Sequence, residues 1–153
     1  MIMKLIFISS KMVQYWSLNT CKKYKQRCHE VELGLEDYML SENIACFGMG
    51  QPEEKREEKK GFNTCKQFEK FKNDAKKGDV IYLYSNRVGI IAYAYYNGHL
   101  TEELNNKGPW KFFKERQINI GITEWNKIEP VKPDRHCLCT LGKIKFVLPE
   151  LKS

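Results

Sequence analysis

Three sets of residues in this chain carry side chains suited to a flat, hydrogen-bonding, negatively charged ligand. The first is aromatic with polar neighbours: Trp16 beside Ser17 and Asn19, Tyr84 beside Ser85 and Asn86, and Trp125. An aromatic ring stacks on a nucleobase with roughly 1–3 kcal/mol per base, while an amide or hydroxyl pairs with the base edge. The second set is Phe47-Gly48 with Gly50, where the missing Cβ lets backbone approach a planar ligand closely. The third is basic and suits phosphate: Lys22, Lys23, Lys25 and Arg27, then Lys72, Lys76, Lys77 and Arg87. Each set also has a plainer reading. Trp16 is then a core residue beside a strand-end Asn, Ser85-Asn86-Arg87 an ordinary turn, and each lysine a solvated one. Tyr82 and Tyr93 are expected to pack within a sheet.

Other chemistries find less support. Cys21, Cys28 and His29 could join His136, Cys137 and Cys139 around zinc, but the spacing matches no common zinc signature. Cys28 falls on the apolar face of an expected helix, and Cys137 and Cys139 on one face of an expected strand, where buried thiols need no metal. His29, His99 and His136 form no recognisable triad, and neither a phosphate-binding glycine loop nor a paired-carboxylate signature is present. The expectation is a binding module, not an enzyme, with no metal and no cofactor.

Composition points the same way. Against 19 acids stand 26 Lys and Arg, a net charge of +7, and 12% of the residues are aromatic. A basic surface favours phosphates and aromatic faces favour bases, so the partner suggested is nucleic acid. With 153 residues, 42% of them hydrophobic, the chain can bury a core as a single domain over residues 1–153. The opening Met1-Ile2-Met3-Lys4-Leu5-Ile6-Phe7-Ile8 is too short for a membrane span and lacks signal-peptide features, so it reads as a first strand. Reduced cysteines and a cytoplasmic location are expected, with no membrane partner.

The elements that must position these residues follow from periodicity. Residues 11–19 read as a strand ending near Asn19. Residues 27–39 place Cys28, Val31, Leu35, Tyr38 and Met39 at helical spacing, with Gly34 as a weak point. Residues 43–47 read as a short strand broken by Gly48-Met49-Gly50. Residues 51–60 hold four acids, four bases and no apolar residue, the pattern of a solvated loop or exposed helical turn. A second helix runs from Asn63 through Cys65, Phe68, Phe71, Lys72 and Ala75 until Gly78 stops it. Two apolar runs, 79–84 and 88–96, flank the turn Ser85-Asn86-Arg87 as a β-hairpin that Asn97-Gly98 ends. A polar excursion over 101–117 with a short helix near Trp110 to Lys114 follows. A strand over 118–125, a turn at residues 132–135 and one or two strands over 137–148 close the chain. The order β-α-β-α-ββ-(α)-β-β indicates α+β: a curved, mainly antiparallel sheet or small barrel flanked by helices.

Several of these segments, in this order, resemble the EVE domain of the PUA-like superfamily. They are Ile44-Ala45-Cys46-Phe47-Gly48-Met49-Gly50, then Phe68 and Phe71, then Lys77-Gly78-Asp79-Val80-Ile81-Tyr82-Leu83-Tyr84, then Gly89-Ile90-Ile91-Ala92-Tyr93-Ala94. Trp16 near the end of the first long strand, and Trp125 within residues 118–130, match in order as well. The likeness covers residues 11–133. Met49 and Ala94 depart from it, standing where family members carry an aromatic and a glycine.

The resemblance implies a PUA/EVE-like fold, related to YTH readers, that captures a modified base such as methylated adenine or modified cytosine. Such domains serve as the recognition part of restriction and defence systems, so DNA over RNA, and a fused or separate effector protein, are the implied partners. Base flipping into an aromatic pocket would use Trp16, Ser17, Asn19, Phe47, Gly48, Gly50, Tyr84, Ser85, Asn86 and Trp125. Phosphate contacts would come from Lys22, Lys23, Lys25, Arg27, Lys76, Lys77 and Arg87. A general DNA- or RNA-binding small barrel, B3-like or an RNA-binding PUA domain, is the alternative.

Overall fold

Among the described residues, segments rich in β-branched and aromatic residues assemble into one mixed, seven-stranded sheet, which with two helices makes an α+β fold. The computed structural model describes residues 12–20, 24–26, 29–31, 35–49, 59–85, 88–104, 116–133 and 140–152. In chain order the elements are β1 (Tyr15–Thr20), β2 (Tyr24–Gln26), β3 (His29–Val31), α1 (Leu35–Glu42), β4 (Ala45–Met49) and α2 (Lys59–Asp74). There follow β5 (Val80–Ser85), β6 (Gly89–Leu104), β7 (Arg116–Ile122), β8 (Asn126–Val131), β9 (Leu141–Ile144) and a 3-10 turn at Pro149–Leu151. The expected first strand over residues 1–8, most of the charged run 51–58 and the helix near Trp110 lie outside the described residues.

The sheet order is β4-β7-β6-β5-β1-β9, with β8 also on β6, while β2 and β3 pair separately. Every ladder is antiparallel except β1–β5, which is parallel. Among the described residues no ladder joins β9 to β4, so the sheet is open. A parallel pair needs a long crossover, and here that crossover contains α1 and α2. β5 is the central strand, and the unbroken apolar run Val80-Ile81-Tyr82-Leu83-Tyr84 explains why it is buried at every position.

One face of the sheet packs under the helices. Trp16, Leu18, Ile81, Leu83, Ala92, Ala94, Ile118 and Ile120 meet Leu35 and Met39 of α1 and Phe71 of α2 there. On the opposite side Val80, Tyr82, Tyr84 and Ile90 are covered by Ile144, Phe146, Leu148 and Leu151. Tyr82 anchors that C-terminal cover: its hydroxyl donates to the Phe146 carbonyl at 2.8 Å and accepts the Leu148 N–H at 3.1 Å. Burial pushes the Tyr82 phenol up from 10.0 to about 12. The folded state therefore holds this proton more tightly than the unfolded chain does. The resulting stabilisation is complete below pH 10 and disappears as pH rises through 12, a loss of about 2–3 kcal/mol. Urea unfolding at pH 9 and pH 11.5 should show a smaller alkaline loss in Tyr82→Phe than in wild type. Parallel pH curves would contradict the assignment.

Several boundaries differ from the periodicity reading, each for a local reason. The helix expected over 27–39 is instead a hairpin strand, His29–Val31, followed by α1. Val31 is β-branched and Gly34 is a poor helix interior, costing about 1 kcal/mol relative to Ala. The helix begins just after that glycine, with Glu36 and Asp37 in its first turn, where acids complement the dipole. Asn43, expected in a strand, ends α1 in the left-handed region at φ 53°, and Ile44 N–H closes back to Met39 O at 3.0 Å. β4 runs through Gly48 and Met49 instead of breaking there. α2 begins four residues before Asn63.

Asn97-Gly98 does not end the hairpin. β6 continues to Leu104, and between the pairs Tyr96↔Ile122 and Leu100↔Ile120 three of its residues face Gly121 alone. Gly98 takes φ +93°, Asn97 Oδ1 accepts His99 N–H at 2.9 Å, and a Cβ on residue 121 would run into the Asn97 amide. This is a bulge, and it carries one strand from β5 and β8 on its first half to β7 on its second. The strand expected over 118–125 stops at Ile122. β8 then forms at the sheet edge, where Pro130 is tolerated.

Candidate functional site

Among the described residues, those singled out for chemistry distribute over two ends and two faces of the sheet. At the amino end of β5, Asp79 is 4% exposed and gathers four donors. Its Oδ1 accepts the Gln14 backbone N–H at 3.1 Å. Its Oδ2 accepts Gln14 Nε2 at 3.0 Å, Trp16 Nε1 at 3.1 Å and Lys76 N–H at 3.0 Å. The Lys-Gly-Asp turn thus ties β1 to β5 through one carboxylate, which is the backbone-bonding role that turn aspartates commonly take.

Trp16 belongs to that arrangement. Its ring is 1% exposed and meets Phe71 edge-on at 4.9 Å, with Phe71 meeting Tyr96 at 5.1 Å. The Lys143 ammonium lies 5.8 Å from the Trp16 ring centroid. Trp125 is similarly engaged. Its backbone N–H donates to Asn43 Oδ1 and its indole N–H to Ile44 O, both at 2.8 Å. Phe47 packs edge-on against Phe68 at 5.8 Å, and Gly48 pairs with Gln117. All three rings lie in the helix-covered core.

Strand geometry separates Trp16 from its expected partners. Successive side chains of a strand alternate in direction, so Ser17 and Asn19 point away from the face that Trp16 and Leu18 occupy. Ser17 Oγ donates to Asn19 Oδ1 at 2.8 Å, and across the ladder Ser17 pairs with Tyr82 and Asn19 with Tyr84. Trp16, Ser17 and Asn19 therefore do not form one pocket wall. Asn19 and Tyr84 do come together, on the face opposite the helices.

The parallel register has a further consequence. β1 and β5 finish side by side, with Asn19 opposite Tyr84 and Thr20 opposite Ser85. In sequence, Thr20 leads directly to Lys22, Lys23, Lys25 and Arg27, and Ser85 leads to Asn86 and Arg87. Lys25 lies in β2, while Lys22, Lys23, Arg27, Gly50, Asn86 and Arg87 lie outside the described residues. Lys76 and Lys77 are exposed but precede β5. That strand itself spans roughly 17 Å, six residues rising about 3.3 Å each, so the two lysines lie toward its amino end.

Two polar side chains at the carboxyl end were not singled out by sequence. Glu36, in the first turn of α1, accepts the Ser85 hydroxyl at 2.7 Å. Gln67 of α2 accepts the Leu141 N–H at 3.0 Å. No motif marks either; their only sequence signal is a polar residue on a helix face that is otherwise apolar.

Among the described residues no group of three or more His, Cys, Asp or Glu could hold a metal ion. Cys46 is a buried thiol, and Cys21, Cys28, Cys137 and Cys139 lie outside those residues. No helix among them is long and apolar enough to cross a membrane. Compared with protein-family models, curated proteins and solved structures, the chain matches none.

Proposed function

We propose that this chain is a nucleic-acid-binding module that holds an unpaired or extruded base at the carboxyl end of the parallel β1–β5 pair. One observation carries the reading: the register that sets Asn19, Thr20, Tyr84 and Ser85 at one end of two strands. Ligands of sheets with parallel strands commonly bind beyond the strands' carboxyl ends, where loops diverge. Here the segments leaving that end are the ones carrying Lys22, Lys23, Lys25, Arg27 and Arg87, in a chain of net charge +7.

Polar groups at the strand ends read the base edge, and the basic segments hold the phosphates on either side. Trp16, Phe47 and Trp125 support the core beneath; their burial favours edge reading over a cage built from these rings. The EVE-like resemblance supports the finer part of the proposal, that the base is a methylated adenine or modified cytosine and that the module directs an effector.

Charge reversal separates the two ends of the sheet. Lys22→Glu with Lys23→Glu should weaken binding to every strand tested and flatten the salt dependence by about one unit of log–log slope per lost phosphate contact. Lys76→Glu with Lys77→Glu should have a clearly smaller effect. Fluorescence anisotropy at two salt concentrations measures both, and an equal loss from the two pairs would move the interface away from the carboxyl end.

A further inference from the structure

Glu36 is an unusual side chain to find at the proposed base-binding end of a basic protein. It is half-buried, and Ser85, itself buried, donates its hydroxyl to Oε2 at 2.7 Å. Among the described residues Glu36 has no cation partner and Oε1 has no hydrogen-bond partner. A carboxylate placed there repels phosphate, so it is unsuited to holding the backbone of a nucleic acid. It is suited to accepting a hydrogen bond from a neutral donor.

We infer that Glu36 selects the base, accepting the exocyclic amine of a cytosine-type ring, with Ser85 as the positioning residue that fixes the carboxylate. This rests on the reading of the β1–β5 end as the base-binding end. Carboxylates accept from the cytosine N4 amine. Uracil carries a carbonyl oxygen at the same ring position. Placed against Glu36 it would set two acceptors face to face, and a polar site rejects an analogue that leaves its groups unpaired. Adenine, with its N6 amine, satisfies the same acceptor, whereas thymine shares the deficiency of uracil.

The test compares single-stranded oligo(dC) with oligo(dU) of equal length at pH 7.5, by anisotropy with the full chain. The two probes share backbone, charge and ring size, so phosphate contacts cancel in the ratio of affinities. Wild type should favour oligo(dC) by about tenfold, the discrimination of one good base contact. Glu36→Gln, whose amide can donate to the uracil carbonyl, should bring the ratio near one or invert it. Ser85→Ala should lower the ratio partway, a change that a merely structural contact would not produce. A wild-type ratio near one, or a ratio retained in both variants, overturns the inference while leaving nucleic-acid binding in place. Failure to bind either strand at low salt overturns the functional reading on which it rests.

Discussion

Replacing Asp79 with Ala should destabilise the chain by about 3–5 kcal/mol, close to the whole stability of many small domains. The carboxylate is nearly fully buried and serves Gln14 twice, the Trp16 indole once and the Lys76 backbone once. An Ala side chain removes one acceptor group but leaves four donors, and each buried donor left unpaired costs about 1–3 kcal/mol unless water reaches it. Gln14 is only partly buried, so some of its donors will be rehydrated, which keeps the total below the sum of the four. Asp79→Asn should fall between, since its single oxygen can serve only some donors while its NH2 faces the rest. Urea denaturation measures the loss, and Lys76→Ala, an exposed side chain beside the same turn, should stay within about 0.5 kcal/mol of wild type. A Asp79→Ala loss below 1 kcal/mol would show that the carboxylate is not the tie between β1 and β5.

Trp16→Ala should cost a similar amount, about 3–5 kcal/mol, by a different route. The indole fills the core under α2, against Phe71, and its removal leaves a cavity as well as an unpaired share of Asp79. Trp16→Phe keeps much of the ring packing and loses the Asp79 bond, so about 1–2 kcal/mol is expected. Its effect on binding separates two accounts of this residue. A stacking wall would lose affinity for an oligonucleotide when the indole is trimmed. A core residue would lose stability, and Trp16→Phe would bind as wild type does at temperatures well below its unfolding. The second outcome is expected, and Tm with anisotropy on the same variant decides it.

How far the sequence discloses this arrangement depends on the element. The β5–β6 hairpin is legible because two apolar runs flank a polar triplet and no competing period intervenes. Residues 27–39 mislead because Cys28, Val31 and Leu35 fit a helical spacing by chance of position, while the backbone preferences of Val31 and Gly34 oppose it. The bulge in β6 is hidden because Asn-Gly is equally good chemistry for a turn and for a left-handed kink inside a strand. Only the partner strand, with Gly121 making room, decides between them.

The candidate site shows the same division. That Trp16 and Asn19 face opposite sides follows from a period of two once 15–20 is a strand, and the aromatic grouping overlooks it. That β1 lies parallel to β5, which brings Asn19 beside Tyr84 and Thr20 beside Ser85, depends on long-range pairing and leaves no local mark. The same holds for Glu36, which reads as one acid among several on a helix until Ser85 is found against it.

We propose the carboxyl end of β1–β5 as the nucleic-acid-binding end. The most direct test is anisotropy of the wild-type chain with single-stranded DNA and RNA, plain or carrying methylated adenine or modified cytosine, over a range of salt. The expected result is binding whose logarithm falls linearly with the logarithm of salt concentration, together with a base preference that persists as salt rises. Absence of binding to every strand at low salt would contradict it.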